Sequence, residues 1–295
     1  MKNIRNRKHL ATLLPLVVLL AVSIIPFSGC DRQNAGQKRE SLLDKILREK
    51  KIRCMYINYP PTIQVDPNTK QLSGIFYDVV KRFGEDTALE IEWVGETTWG
   101  TMIEDLKNDK YDLLVTGVFP TAVRAKESAF TKPILYIGMG AVVRVGETRF
   151  KTVEDFNNPN VTIATVDGEV GDAYVKQFLP KANRQAIPTG EIPQAVDQVA
   201  YKKADVAITD MLSAGRYVMQ HRDAVYDMFA DKPIRVYGAS MMTKRGEFEF
   251  LNLLNVALDE YLNSGFIDSL DKKYKQAPNE WLPAAKMFGQ TEKNQ

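Results

Sequence analysis

The side chains that most often carry chemistry are scarce in this chain. Its 295 residues include two histidines, His9 and His221, and two cysteines, Cys30 and Cys54. So small a stock argues against a His-rich metal centre and against a disulfide framework. Cys54 lies inside the strand-like run Ile52-Arg53-Cys54-Met55-Tyr56-Ile57, so a buried, inert thiol is expected there rather than a nucleophile. His221 lies in the polar stretch Met219-Gln220-His221-Arg222-Asp223 and reads as a solvated helix residue. No nucleophile–base pair can be assembled, which favours binding over covalent catalysis.

The composition agrees with a soluble globular protein: 44% of residues are hydrophobic, 9% aromatic and 26% charged, which excludes wholesale disorder and a fibrous repeat. The length corresponds to roughly two domains. A formal net charge of +2 lacks the concentrated basic face that a nucleic-acid partner requires.

The first thirty residues stand apart. Lys2, Arg5, Arg7 and Lys8 form a basic start, Leu10 to Pro26 is an apolar run without charge, and Phe27-Ser28-Gly29-Cys30 closes it. This is the layout of a secretory signal. The residues before Cys30 resemble a bacterial lipobox, which implies a signal over 1–29 and a lipid on Cys30 as the new N-terminus. The apolar run is short for a membrane span, the other reading of such a segment. Loss of those four basic residues, with no acidic ones among them, takes the net charge from +2 to −2.

The rest of the chain must position whatever site exists. Residues 31–41 are polar, and Leu42, Leu43, Ile46 and Leu47 fall at helical spacing. Strand and helix signals then alternate: Ile52–Ile57, Glu90–Val94, Asp112–Thr116, Val161–Val166 and Val206–Thr209 read as strands. Phe76–Phe83, Met102–Leu106, Gly171–Phe178, Ile192–Ala200, Phe248–Leu262 and Phe266–Tyr274 read as helices. The alternation predicts an α/β fold with largely parallel sheets. Leu135–Val143 and Ile234–Met241 are long, extended, apolar and glycine-containing, and read as crossings between two lobes.

Residues from about 41 to 283 resemble the family 3 periplasmic solute-binding proteins, most of which serve amino-acid ABC importers. The resemblance rests on an ordered set of motifs: Lys51-Ile52-Arg53, Tyr59-Pro60-Pro61, Gly74-Ile75-Phe76-Tyr77-Asp78-Val79 and Lys110-Tyr111-Asp112-Leu113-Leu114 in the first part. Thr121-Ala122-Val123-Arg124-Ala125-Lys126, Ala129-Phe130-Thr131-Lys132-Pro133 and Lys203-Ala204-Asp205-Val206-Ala207-Ile208-Thr209-Asp210 continue it in order. It implies a two-lobed periplasmic-binding-protein (type II) clamshell with two hinge strands and the ligand held between the lobes. On that basis 30–47 is a tether and leader helix, 48–137 plus 237–285 the first lobe, 138–236 the second, and 286–295 a flexible tail.

The resemblance also implies site residues. Arg124 stands where the family grips the ligand α-carboxylate, a task suited to a guanidinium fork that does not deprotonate. Asp210 resembles the family's acidic partner for the α-ammonium; its place between a strand and a helix suits an N-cap as well, and the two roles are compatible. Tyr59 and Trp99 match positions of aromatic rings against the ligand side chain, with core packing as the alternative for Trp99. Thr116, Gly117 and Thr121 are expected to present backbone groups and hydroxyls near Arg124. Three positions depart from the family pattern. Phe119 replaces a small hydroxyl residue, Tyr56 stands where some basic-amino-acid binders carry an acid, and Glu169 replaces the hydroxyl of a Gly-Thr-Thr or Gly-Ser-Thr turn. Glu169 either joins Asp210 in the cleft or sits solvated at a helix start.

These residues suit two functions. The first is an extracytoplasmic, lipid-anchored, monomeric binding protein that needs no cofactor and delivers an amino acid or related small carboxylate to an ABC permease. The second is an enzyme on the same fold, similar to periplasmic cyclohexadienyl (prephenate/arogenate) dehydratases. It would use Glu169 or Asp172 as a general acid whose pKa burial must raise, and Arg124 as the cation.

Overall fold

The computed structural model describes residues 40–188, 191–277 and 280–284. The segments read as signal (1–29) and tail (286–295) lie outside the described residues, as does Cys30 with the tether up to residue 39.

Helix α1 (Leu42–Glu49) starts behind Ser41, whose hydroxyl accepts the Asp44 amide, and it anchors through buried Ile46. Strand β1 (Lys51–Tyr56) follows. A small hairpin of β2 (Gln64–Val65) and β3 (Leu72–Ser73) leads to α2 (Ile75–Thr87), β4 (Glu90–Glu96), α3 (Met102–Lys107) and β5 (Leu113–Val118). Then come β6 (Ser128–Phe130) and the long β7 (Leu135–Arg144). Beyond them lie β8 (Thr162–Val166), α4 (Val170–Phe178), β9 (Asn183–Ile187), α5 (Pro193–Ala200), β10 (Val206–Asp210), α6 (Met211–Gln220) and β11 (Val225–Asp227). A second long strand, β12 (Arg235–Lys244), precedes α7 (Phe248–Asn263), α8 (Phe266–Tyr274) and the short β13 (Leu282–Pro283).

The α/β fold has two lobes. In one, β1 lies between β4 and β5, all parallel. In the other, β8 lies between β9 and β10, again parallel. The long strands join the two sheets and are antiparallel to their neighbours. Leu135–Met139 of β7 pairs with Arg235–Ala239 of β12. Outside that ladder β12 continues onto β5 through Ser240–Thr243, and β7 continues onto β10 through Met139–Val143. The segments read as crossings are therefore the only two long strands of this fold among the described residues, and each belongs to both sheets.

Every residue of β5 is buried, and the strand is held by the residue before it. Asp112, 4% exposed, accepts Arg53 Nη2 (2.7 Å) on Oδ1, with Lys45 Nζ 3.5 Å from the same oxygen. Its Oδ2 accepts the Arg53 amide (3.0 Å) and Nε (3.1 Å). Burial pushes the Asp112 pKa up, but these hydrogen bonds prevail and hold it below its ordinary value. A depressed folded pKa contributes stability above the unfolded pKa, and that contribution is lost as pH falls through the folded value. Arg53 keeps a quarter of its side chain in water, so breaking the pair costs less than the ~3–5 kcal/mol typical of a dry one. Asp112→Asn is expected to lower unfolding free energy by about 2 kcal/mol at pH 7 in urea titrations, with the gap to the native chain closing toward pH 3.

Candidate functional site

Tyr59 follows β1 in a tight turn: its carbonyl accepts the Thr62 hydroxyl (2.7 Å) and amide (2.8 Å). The turn presents a 2%-exposed ring, whose hydroxyl donates to Asp210 Oδ1 (2.9 Å) at the far end of β10. The Trp99 ring meets it edge-on, 5.6 Å between centroids. Arg124 opens a short 3₁₀ turn after β5 and is 8% exposed. Its Nη1 donates to the Phe119 carbonyl (2.8 Å) and its Nη2 to the Gly168 carbonyl (2.6 Å).

Gly168 shows why the lobes can meet. Its φ is +77°, and a Cβ there would lie 2.5 Å from the Trp99 carbonyl, so only glycine allows both the turn and the approach. The next residue, Glu169, caps α4 by accepting the Gly171 amide (2.7 Å). Gly171 in turn lets α4 press onto β10, since a Cβ would lie 2.1 Å from the Ile208 carbonyl. This close packing brings Glu169 toward Asp210, which caps α6 by accepting the Ser213 amide (2.8 Å).

Tyr59, Trp99, Phe119, Arg124, Glu169, Val170 and Ile192 line a narrow cavity with room for about one water molecule. Four of the residues expected at a site are in that lining, and Asp210 reaches it through Tyr59. The other three do not line it. The Thr116 hydroxyl is spent on the Ile57 carbonyl (3.3 Å), Gly117 packs beneath the Tyr59 ring, and Thr121 Oγ1 accepts the Arg124 amide (3.2 Å). Thr121 thus shapes the turn that aims Arg124. Phe119 lines the cavity itself and stacks on Tyr237 with centroids 5.3 Å apart. Val170 and Ile192 carry no local mark in the sequence; only the packing of α4 and the start of α5 places them here.

The site is electrostatically unusual. Glu169 is 3% exposed, so the solvated reading at a helix start does not hold. Burial, reinforced by Asp210, pushes its pKa up to about 8, against the opposing pull of the Gly171 amide and Arg124. Burial raises Asp210 to about 6, opposed by hydrogen bonds from Ser213 and Tyr59. Burial lowers the Arg124 pKa, while Glu169 supports its charge. Asp210 Oδ2 and the Trp99 indole N–H are buried without a hydrogen-bond partner, an acceptor and a donor available to a polar guest. Asp172 differs from Glu169. Burial works against its charge, yet hydrogen bonds from Lys176, Arg184 and Thr165 hold its pKa low, so it cannot serve as a proton donor near neutrality. Cys54 is fully buried with its pKa pushed up by desolvation, an inert thiol as expected.

Among the described residues no helix is long and apolar enough to cross a membrane, and no group of three His, Cys, Asp or Glu could hold a metal ion. Residues 52–277 match the bacterial extracellular solute-binding proteins, family 3. The chain is 25% identical over 223 residues to the amino-acid-binding protein AabA of Dichelobacter nodosus, covering 74% of this chain and 85% of that one. It is 24% identical over 211 residues to the cyclohexadienyl dehydratase of Pseudomonas aeruginosa, covering 71% and 74%. The fold matches the crystal structure of the ancestral amino acid-binding protein AncCDT-1, a precursor of cyclohexadienyl dehydratase, with a TM-score of 0.69 and 27% identity over 79% of this chain and 99% of that one.

Proposed function

Given that the chain belongs to the bacterial extracellular solute-binding proteins of family 3, we propose that it captures an α-amino acid between its lobes and delivers it to an ABC importer. Cys30 is its lipid attachment to the outer side of a bacterial membrane, and the chain acts as a monomer. The lobes are 48–137 plus 237–285 and 138–236, so the chain changes lobe inside the β7–β12 ladder. Tyr59, Trp99, Thr116, Gly117, Thr121, Arg124, Glu169 and Asp210 form or support the site.

One observation carries this reading. A buried guanidinium on the turn after β5 lines the cavity, a buried carboxylate at the end of β10 reaches it through the Tyr59 hydroxyl, and one oxygen of that carboxylate has no partner. An α-amino acid supplies both complements: its carboxylate to the remaining Arg124 donors and its ammonium to Asp210 Oδ2. A buried acceptor without a partner costs about 1–3 kcal/mol, which such a guest restores.

A thermal-shift screen of the full chain in detergent tests this, using the standard amino acids, small dicarboxylates, prephenate and arogenate. A guest at a hundred times its dissociation constant stabilises the fold by roughly 2.7 kcal/mol. A clear shift with one class of amino acid and no product is the expected result; silence across all amino acids refutes the reading.

The raised pKa of Glu169 favours a second reading, a dehydratase acting on prephenate or arogenate. A carboxyl that keeps its proton near neutrality can give it to a leaving hydroxyl. Water then departs as the ring carboxylate leaves as carbon dioxide, and that bond's electron pair completes the aromatic ring. Release of phenylpyruvate or phenylalanine in the corresponding wells, abolished by Glu169→Gln, would establish this reading over the first.

A further inference from the structure

The C-terminal segment is seated on the first lobe but reaches across to the second. Helix α8 packs on α2 and α7, and its last residue is pinned there. The Tyr274 hydroxyl donates to Asp78 Oδ2 (2.9 Å) and accepts the Gly74 amide (3.2 Å). Trp281, 2% exposed, borders a hollow lined by Ile75, Ile134, Leu135 and Ile267, and its indole N–H donates to Asp271 Oδ1 (2.6 Å). Strand β13 then pairs Leu282 and Pro283 with Tyr136 and Leu135, on the first-lobe side of the β7–β12 ladder. With lobes of 48–137 plus 237–285 and 138–236, all these anchors belong to the first lobe.

Glu280 faces the other way. Its Oε2 is fixed by the amides of Gln276 (2.5 Å) and Ala277 (3.3 Å), which leaves Oε1 to accept Arg216 Nε at 2.8 Å. Arg216 Nη2 also lies 3.4 Å from the Tyr274 carbonyl. Arg216 belongs to α6, the helix that Asp210 caps, which packs on β7, β10 and β11 in the second lobe. The Glu280 side chain is 5% exposed and that of Arg216 19%, so water screens the pair far less than a surface ion pair. Neither residue lines the cavity around Arg124 and Glu169, although Arg216 borders the adjoining hollow that shares Tyr59 and Ile192 with it.

We propose, resting on the proposed division into these two lobes, that Glu280 and Arg216 form an interlobe clasp beside the hinge, which holds the clamshell toward its closed form without touching the guest. Rotation of the second lobe about the β7–β12 ladder carries α6 away from the segment that holds Glu280. The bond is therefore made in the closed state and lost in the open one. A contact present in only one of two states shifts their ratio by its own free energy, and affinity changes with the population of the competent state. The clasp sets that ratio separately from the pocket that chooses the guest.

The test needs no guest, so it is independent of what the cleft binds. Spin labels placed by Lys81→Cys on α2 and Gln177→Cys on α4, in a Cys30→Ser chain, report the distance between lobes by pulsed dipolar spectroscopy; both positions are exposed, whereas Cys54 is buried. The chain with an intact clasp should show a predominantly short distance. Arg216→Gln and Glu280→Gln should each raise the open-to-closed ratio by roughly fivefold. The double variant should do no more than either alone, because both remove one bond. Arg216→Lys retains a charge opposite Glu280 and should produce a smaller shift in the same direction, which covers the case of a glutamine variant that fails to fold. Unchanged distances in the folded variants, or fully additive effects, would overturn the proposal.

Discussion

Arg124→Ala should weaken binding of any carboxylate guest by at least a hundredfold, as measured by titration calorimetry at pH 7. The guanidinium carries five N–H donors, and the carbonyls of Phe119 and Gly168 take one from each Nη nitrogen. Donors on both nitrogens remain for a carboxylate in the cavity, and in this dry setting a charge-assisted pair is far stronger than one in water. Truncating one partner of a buried charge pair costs about 2–5 kcal/mol, and a hundredfold is ~2.7 kcal/mol within that range. Two further losses act in the same direction. The bond from Arg124 to Gly168, which links the two sides of the cleft, disappears, and Glu169 loses its neighbouring cation. Arg124→Lys should recover only part of the affinity, since an ammonium cannot match the fork. Native affinity in the alanine variant would exclude Arg124 from the site.

Glu169→Gln should remove the pH dependence that the cleft imposes above pH 6. In the folded chain the Glu169 pKa is raised from 4.5 to about 8 by burial and by Asp210, so the folded state keeps a proton that the unfolded chain releases. A raised carboxyl pKa makes stability fall as pH rises between those two values, by at most about 1.4 kcal/mol per pH unit. Thermal melts without ligand should therefore show a decline from pH 6 to pH 8 that the glutamine variant lacks, while the decline below pH 6 that Asp210 contributes remains. Binding should show the opposite slope. A ligand ammonium placed beside Asp210 and Glu169 favours their charged forms, so capture at pH 7 releases up to one proton. Affinity then rises toward pH 8 by as much as tenfold per unit before it levels off. Calorimetry in buffers of different ionisation enthalpy measures the released proton directly. Equal proton release in the native and glutamine chains would assign the titration to another group.

Much of the fold was legible because its signals are local. Leu42, Leu43 and Ile46 placed the leader helix, and the structure has it at Leu42–Glu49. The apolar run around Cys54 became β1, and the two extended glycine-containing segments became β7 and β12. Strand β9 escaped notice because Asn183-Arg184-Gln185-Ala186-Ile187 has no alternation of apolar and polar residues. As an edge strand paired only with β8, it needs none. The expectation of largely parallel sheets holds for the β4-β1-β5 and β9-β8-β10 ladders, but the β2–β3 hairpin and every ladder of the long strands are antiparallel, the latter because their direction depends on how the lobes connect.

The site divided along the same line. The motif around Thr121–Lys126 singled out Arg124, and residue type alone says that a guanidinium binds carboxylates. Sequence also sufficed for Asp210 as a helix cap, because capping involves only the next few residues. Tertiary structure alone decided that Glu169 is buried rather than solvated, and that it shares its surroundings with Asp210 and Arg124. It also gave the hydroxyls of Thr116 and Thr121 other partners than a guest. The physical reason is that helix and strand preferences depend on near neighbours in the chain, whereas desolvation depends on every group packed around an atom. For Glu169 those groups come from both lobes, and Gly168 and Gly171, which let them approach, act through space rather than along the chain.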